Sequence, residues 1–318
     1  MLLLSLMTAV LAAQEPDAVI RTTVQIVVAP TTVTDSTGKH INGLTAEDFL
    51  LFDNKKPRPI QADVSYLPIS LVIAIQTSSI SGPALEKIRM IGSMVGPLLV
   101  GESGDAAVLL YGDDVSLLQS FTSDENKLIA AMRRLRPTGV NGVALDAINE
   151  SVSLLKKKEE GRRRILLLIG ESRDRGSKAK LDEVVQQTQS ANVIVYSLTY
   201  SALMENLIAS KQKQSRAKDA NVDIAGAIAE ASRLGKTNIA ELFPKQTGGM
   251  THSFVKETGL ENAVEKVGEE IHNQYLLSFT PLVGKEKGFH KISVRVKNNP
   301  DAIVRTRPGY WPVTDSQP

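Results

Sequence analysis

A chain of 318 residues, 42% of them hydrophobic, is long enough for a domain of roughly 200 residues and a smaller second one. Its 37 basic and 35 acidic residues leave a net charge of +2, which removes the electrostatic case for a nucleic-acid or anionic-membrane partner. With no cysteine, disulfides, thiolate chemistry, Cys-ligated zinc and a lipidated N-terminal cysteine are excluded, and none of His40, His252, His272 and His290 stands at metal-ligand spacing from another.

Met1 to Ala13 is an uncharged apolar run that ends in small residues. A bilayer span needs about 20 apolar residues. The run therefore reads as the apolar part of a secretory signal peptide, residues 1–13, cleaved after Ala12 or Ala13, although no Lys or Arg precedes it. No other segment is apolar for long enough to be a transmembrane helix. The expected location is periplasmic or secreted.

Residues 20–66 form an N-terminal β segment. Thr22–Ala29 and Thr31–Asp35 are rich in β-branched residues, Asp35-Ser36-Thr37-Gly38 has turn chemistry, Thr45–Asp48 resembles a capping box, and Phe49–Phe52 reads as a short strand. At Pro68 the pattern changes. Ile69–Ile75 is almost continuously apolar, as in a strand covered on both faces. An amphipathic helix is expected from Pro83 to Leu99, then a strand Asp105–Tyr111 and an edge strand Val115–Leu118. Helices follow from Ser123 to Leu135 and from Ala144 to Leu155, then a strand Arg164–Ile169, a helix Leu181–Ala191 and a strand Val193–Leu198. This alternation predicts an α/β fold, a doubly wound, mostly parallel sheet. Residues 200–236 are polar, helix-prone and off the pattern, and read as a surface insertion. A helix near Ile239–Phe243 is expected to stop at Pro244, followed by a strand Met250–Phe254 and a helix Leu260–His272. Tyr275–Phe279, Lys291–Lys297 and Ile303–Arg307 then form a C-terminal β segment, 274–312. It is expected to pair with the N-terminal one into a small β domain beside the core domain, 67–273.

Other signals have bland readings that outweigh the sharp ones. Lys156–Lys158 and Arg162–Arg164 are a solvated helix end and a strand entry. Gly235-Lys236-Thr237 lacks the earlier glycine and the preceding strand of a phosphate loop. Asp113-Asp114 is a turn. Ser78 has no nucleophile elbow around it and no histidine in a matching strand-end loop. Tyr310-Trp311 reads as a strand anchor rather than a sugar platform.

Three stretches carry a resemblance: Gly43–Phe49, Leu166–Ser177, and Gln274–Pro281 with Arg307–Trp311. They resemble the bacterial von Willebrand factor A-related proteins typical of Acidobacteria, over nearly the whole chain apart from 200–236. The resemblance implies a von Willebrand factor A (Rossmann-like) fold, no enzymatic activity, and protein binding at the top of the sheet, often through Mg²⁺. That metal-ion-dependent adhesion site uses an Asp-x-Ser-x-Ser loop, a later Thr and a later Asp. Here Gln76 stands for the first Asp, Ser78 is retained, Ile80 stands for the second Ser, Val143 for the Thr and Glu171 for the late Asp. A shift by one residue brings Thr77, Ser79 and Ser81 instead, which restores hydroxyls but no carboxylate. Mg²⁺ needs oxygen ligands and carboxylate charge.

The sequence thus points to an exported, non-enzymatic protein-binding module with a degenerate metal site and no cofactor. Its partner is another protein, met by Gln76, Ser78, Ile80, Val143, Glu171, Arg173 and Asp174. A metal-dependent adhesion protein using Ser78 and Glu171, or a structural assembly protein, is the alternative.

Overall fold

The computed structural model describes residues 26–64, 67–78, 81–200, 237–254, 257–281 and 288–312. The signal-peptide run, Ile80, and residues 201–236 of the expected insertion lie outside them. In chain order the strands are β1 (Val27–Thr34), β2 (Phe49–Asp53), β3 (Lys56–Arg58), β4 (Gln61–Val64), β5 (Ile69–Gln76), β6 (Asp105–Tyr111), β7 (Val115–Thr122), β8 (Arg163–Gly170), β9 (Val193–Thr199), β10 (Thr251–Ser253), β11 (Tyr275–Phe279), β12 (His290–Val296), β13 (Ile303–Thr306) and β14 (Gly309–Tyr310). The main helices are α1 (Gly82–Met90), α2 (Glu125–Arg133), α3 (Ala144–Lys156), α4 (Leu181–Ser190), α5 (Ile239–Thr247) and α6 (Glu257–Asn273).

The central sheet has the order β10-β9-β8-β5-β6-β7, parallel throughout except for β7, which runs antiparallel to β6. Every residue of β5 is buried because the sheet is covered on both faces. Alternation divides the strand: Leu71, Ile73 and Ile75 enter one apolar cluster with residues of α1, α2 and α6. Val72 and Ala74 enter the other with residues of α3, α4 and α5. This is the expected doubly wound α/β architecture.

The expected β domain is a pair of antiparallel four-stranded sheets, β13-β1-β11-β4 and β14-β12-β2-β3, built from both ends of the chain. Val27, Phe49, Leu51, Leu277, Ile292 and Val294 belong to its common core. β12 alternates strictly, with His290, Ile292, Val294 and Val296 buried and Lys291, Ser293 and Arg295 exposed. Pro30 lies inside β1, just beyond Thr31, the last residue that pairs with β13, so its missing N–H disrupts no bond to that neighbour.

Two helix expectations are corrected. The Pro83–Leu99 helix is not continuous: α1 ends at Met90, and Val95–Val100 is a π-helical turn. Pro97 has no N–H for the α-helical ladder and its ring crowds the preceding turn. Conversely, Pro244 lies inside α5 and does not end it. The carbonyl of Ala240, which the proline cannot serve, accepts the Thr251 hydroxyl instead. The edge strand β7 also runs on to Thr122 through irregular pairing with β6.

The sheet and the sandwich meet through two arginines, Arg305, which is half-buried, and Arg307, which is buried. Arg305 binds Glu270 and the carbonyls of Gly248 and Gly249. Arg307 donates to the carbonyls of Val28, Gln189 and Gly309. Burial without a carboxylate partner draws the Arg307 guanidinium down to about 10.

Candidate functional site

β5 and β8 run side by side, with Ile75 opposite Ile169. The residues after both strands therefore converge on the carboxyl edge of the sheet, where open α/β sheets bind their ligands. Gln76, the last residue of β5, is 2% exposed. Its Oε1 accepts the backbone N–H of Glu171 at 2.7 Å, and its Nε2 donates to Ser78 Oγ at 2.9 Å. A backbone N–H can only donate, so this contact fixes which end of the amide is oxygen. The chain of bonds continues: Ser78 Oγ lies 3.1 Å from Ser81 Oγ, and the Tyr200 hydroxyl donates to Ser81 at 2.6 Å. Burial raises the Tyr200 phenol above its ordinary value and keeps it a donor.

The loop before α3 is held from two sides. Thr138 donates its N–H to the Thr77 carbonyl, and their hydroxyls are 2.6 Å apart. Asp113 Oδ1 accepts the N–H groups of Asn141 at 2.9 Å and Val140 at 3.0 Å, and these bonds hold its carboxyl below the usual value. Two glycines allow the close packing. A Cβ on Gly142 would lie 2.6 Å from Gln76 Nε2, and one on Gly170 would lie 2.0 Å from the Tyr111 hydroxyl. That hydroxyl, in turn, donates to the Ile169 carbonyl at 3.3 Å.

Gln76, Ser78 and Glu171 are therefore brought together. Val143 is 3% exposed and packs in the cluster beneath α3, its side chain committed to the core. Asp174 Oδ1 accepts the N–H of Leu145 at 2.9 Å and the hydroxyl of Ser177 at 2.6 Å, so it braces the start of α3. Arg173 is exposed, and its backbone bridges to Asn238. Glu171 Oε2 lies 3.5 Å from Arg175. No motif in the sequence marks Thr138, Asp113, Tyr111 or Tyr200 as a site residue. Asp113 reads from the sequence as a turn residue, and in the structure its carboxylate also holds the Val140 and Asn141 N–H groups. Thr138 gave one signal, its place beside the flexible Gly139. Tyr111 ends an expected strand, and Tyr200 falls at the start of the expected surface insertion, yet both are buried.

Chemically, the edge presents an amide NH₂, hydroxyls bonded to one another, Glu171 beside Arg175, and the carboxylates of Asp113 and Asp174, which are engaged by backbone N–H groups. Among the described residues no group of three or more His, Cys, Asp or Glu is placed to hold a metal ion. This donor set does not fit a hard divalent cation, which needs several oxygen ligands and carboxylate charge. Around the buried residues lie exposed side chains: Val140, which is 67% exposed, Asn141, Arg173 and Arg175.

No family model matches the chain, and no curated protein matches it. Solved structures do. An aerotolerance-related membrane protein from Bacteroides fragilis aligns at 16% identity over 64% of this chain and 98% of its own, with a TM-score of 0.45. The VWA domain of SpRpn10 aligns at 13% identity over 63% and 95%, with a TM-score of 0.40. Proximal thread matrix protein 1 from the mussel byssus, whose MIDAS motif holds zinc, aligns at 10% identity over 70% and 50%, with a TM-score of 0.44. These likenesses are remote, and the architecture described above stands on the pairing of the strands themselves. No described helix is long and apolar enough to cross a membrane.

Proposed function

We propose that this chain is an exported, non-enzymatic protein-binding module that meets its partner at the carboxyl edge of the central sheet without a metal ion. The observation that carries the reading is the Gln76 amide. It occupies the position where the resemblance to von Willebrand factor A-related proteins implies a metal-ligating carboxylate, and both of its ends are engaged within the protein. The contact surface is then the ring of exposed residues around it, Val140, Asn141, Arg173 and Arg175, held in place by Asp113 and Asp174. Apolar and guanidinium groups on a braced loop set suit a protein surface with acidic character. Export rests on the apolar run Met1–Ala13.

The test is capture from an envelope extract of the source organism by the immobilised chain. Val140→Asp and Arg173→Glu are expected to lose the captured protein, while Ile303→Asp on the distant sandwich keeps it and a chelator has no effect. Capture unchanged in both loop variants would sink the reading. Capture abolished by the chelator would instead favour a metal-dependent adhesion site using Ser78 and Glu171.

A further inference from the structure

At the opposite end of the central sheet, where β8 begins, a cavity of about 420 Å³ opens between the sheet and the sandwich. Small-molecule pockets typically measure roughly 300–1,000 Å³. Part of the wall is apolar, with Val28, Ile194 and Leu276. The rest is cationic, with Arg162, Arg163 and Arg164 in succession.

The three arginines are not equivalent. Arg162 has a carboxylate partner, Asp105, at 3.1 Å. Arg163 is 3% exposed, yet its acceptors are neutral: the Ile271 carbonyl and Gln274 Oε1. Arg164 donates to the carbonyls of Ala191 and Lys158, both at 3.2 Å and both neutral. The Nε of each is buried with no acceptor. Glu270, whose charge reaches Arg163, is itself bound by Arg305 and Thr32. The acid in the cavity wall, Glu160, is exposed. A guanidinium buried among neutral oxygens lacks the counter-charge that normally accompanies it. Beside an apolar cavity, the missing group is an anion with an apolar body.

We propose that this cavity binds a carboxylate carried on an apolar chain, with the carboxylate against Arg163 and Arg164 and the chain along Val28, Ile194 and Leu276. A guanidinium pairs with a carboxylate through parallel N–H bonds, which a neutral hydroxyl cannot match. Such a group comes from a short fatty acid or from the C-terminus of a peptide.

Titration calorimetry of the full chain with octanoate and with N-acetyl-leucine tests the two sources, with octanol and inorganic phosphate as controls. Saturable binding of either acid is expected, with octanol and phosphate weaker by on the order of tenfold or more. Arg164→Gln is expected to weaken the acid by about tenfold. Ser278→Phe, which fills the cavity without altering its charge, is expected to abolish binding. If that variant does not fold, Arg164→Gln alone decides. Octanol or phosphate matching the acids would overturn the proposal. So would binding indifferent to the variants, or no saturable binding of either acid.

Discussion

The side-chain oxygen of Gln76 takes the backbone N–H of Glu171 at 2.7 Å, tying the end of β5 to the first residue beyond β8. The same amide donates to Ser78 Oγ, which is itself fully buried. Gln76→Ala would leave a backbone donor and a buried hydroxyl without this partner. Each buried group left unpaired costs about 1–3 kcal/mol. The variant should lower the urea midpoint by a corresponding amount with little change in slope. An unchanged midpoint would mean that water replaces the amide without penalty.

Gly170 sits against a hydroxyl. A Cβ there would stand 2.0 Å from the Tyr111 oxygen and 2.7 Å from Gln76 Oε1. Overpacking of this kind costs about 1–3 kcal/mol. Gly170→Ala should therefore be destabilised, and Tyr111→Phe, by removing the hydroxyl, should recover part of the loss. A double-mutant cycle measures that recovery. Purely additive effects would show that the clash is relieved elsewhere.

How far the sequence reveals these arrangements depends on the distance over which each is decided. β5 and β12 announce themselves because alternation and continuous apolarity are local consequences of which faces are covered. Gln76, Ser78 and Glu171 are legible through the resemblance, which places that family's metal site after these two strands, and the pairing of β5 with β8 brings the strand ends together. Thr138 and Tyr200 carry no local mark of this kind, because their roles come from partners far along the chain, Thr77 and Ser81. Pro244 has the local signature of a helix end, but the donor that lets α5 pass through it belongs to Thr251, outside the helix. Arg163 reads locally as part of a solvated basic run, yet it is buried, which only the packing of distant segments decides.

His252 gives a pH signature. Burial first, and then the charge of Lys266, hold its imidazole below its ordinary value of 6.5, with Arg305 adding to the effect and Glu270 opposing it. As pH falls below that value, the unfolded chain takes up a proton that the folded chain resists. His252 should therefore lower stability progressively as pH drops through the interval between the unfolded and folded values, then level out. His252→Gln should flatten that part of the stability profile measured by denaturant unfolding. An identical slope in the variant would remove His252 as its source.

Asp174 separates a bracing role from a contact role. Its Oδ1 accepts the Leu145 N–H near the start of α3 and the Ser177 hydroxyl. Losing a capping acceptor costs about 0.5–2 kcal/mol. Asp174→Ala should lose stability in that range, whereas Asp174→Asn keeps an amide oxygen at the same position and should lose less. If both variants were as stable as the parent, Asp174 would be free to serve a partner directly.

The absence of metal dependence is the prediction closest to the proposed function. A ligand at a hundred times its dissociation constant stabilises the folded state by about 2.7 kcal/mol. For a domain of this size that is a shift in midpoint of a few degrees. Thermal unfolding in Mg²⁺, Mn²⁺ or Ca²⁺ is expected to match unfolding in chelator, because the Gln76 amide turns a donor, Nε2, toward Ser78 and Arg175 lies against Glu171. A saturable shift that disappears in Glu171→Ala would reverse this. Glu171 would then have to leave Arg175 for the ion, and the hydroxyls of Ser78 and Ser81 would have to turn from one another toward it.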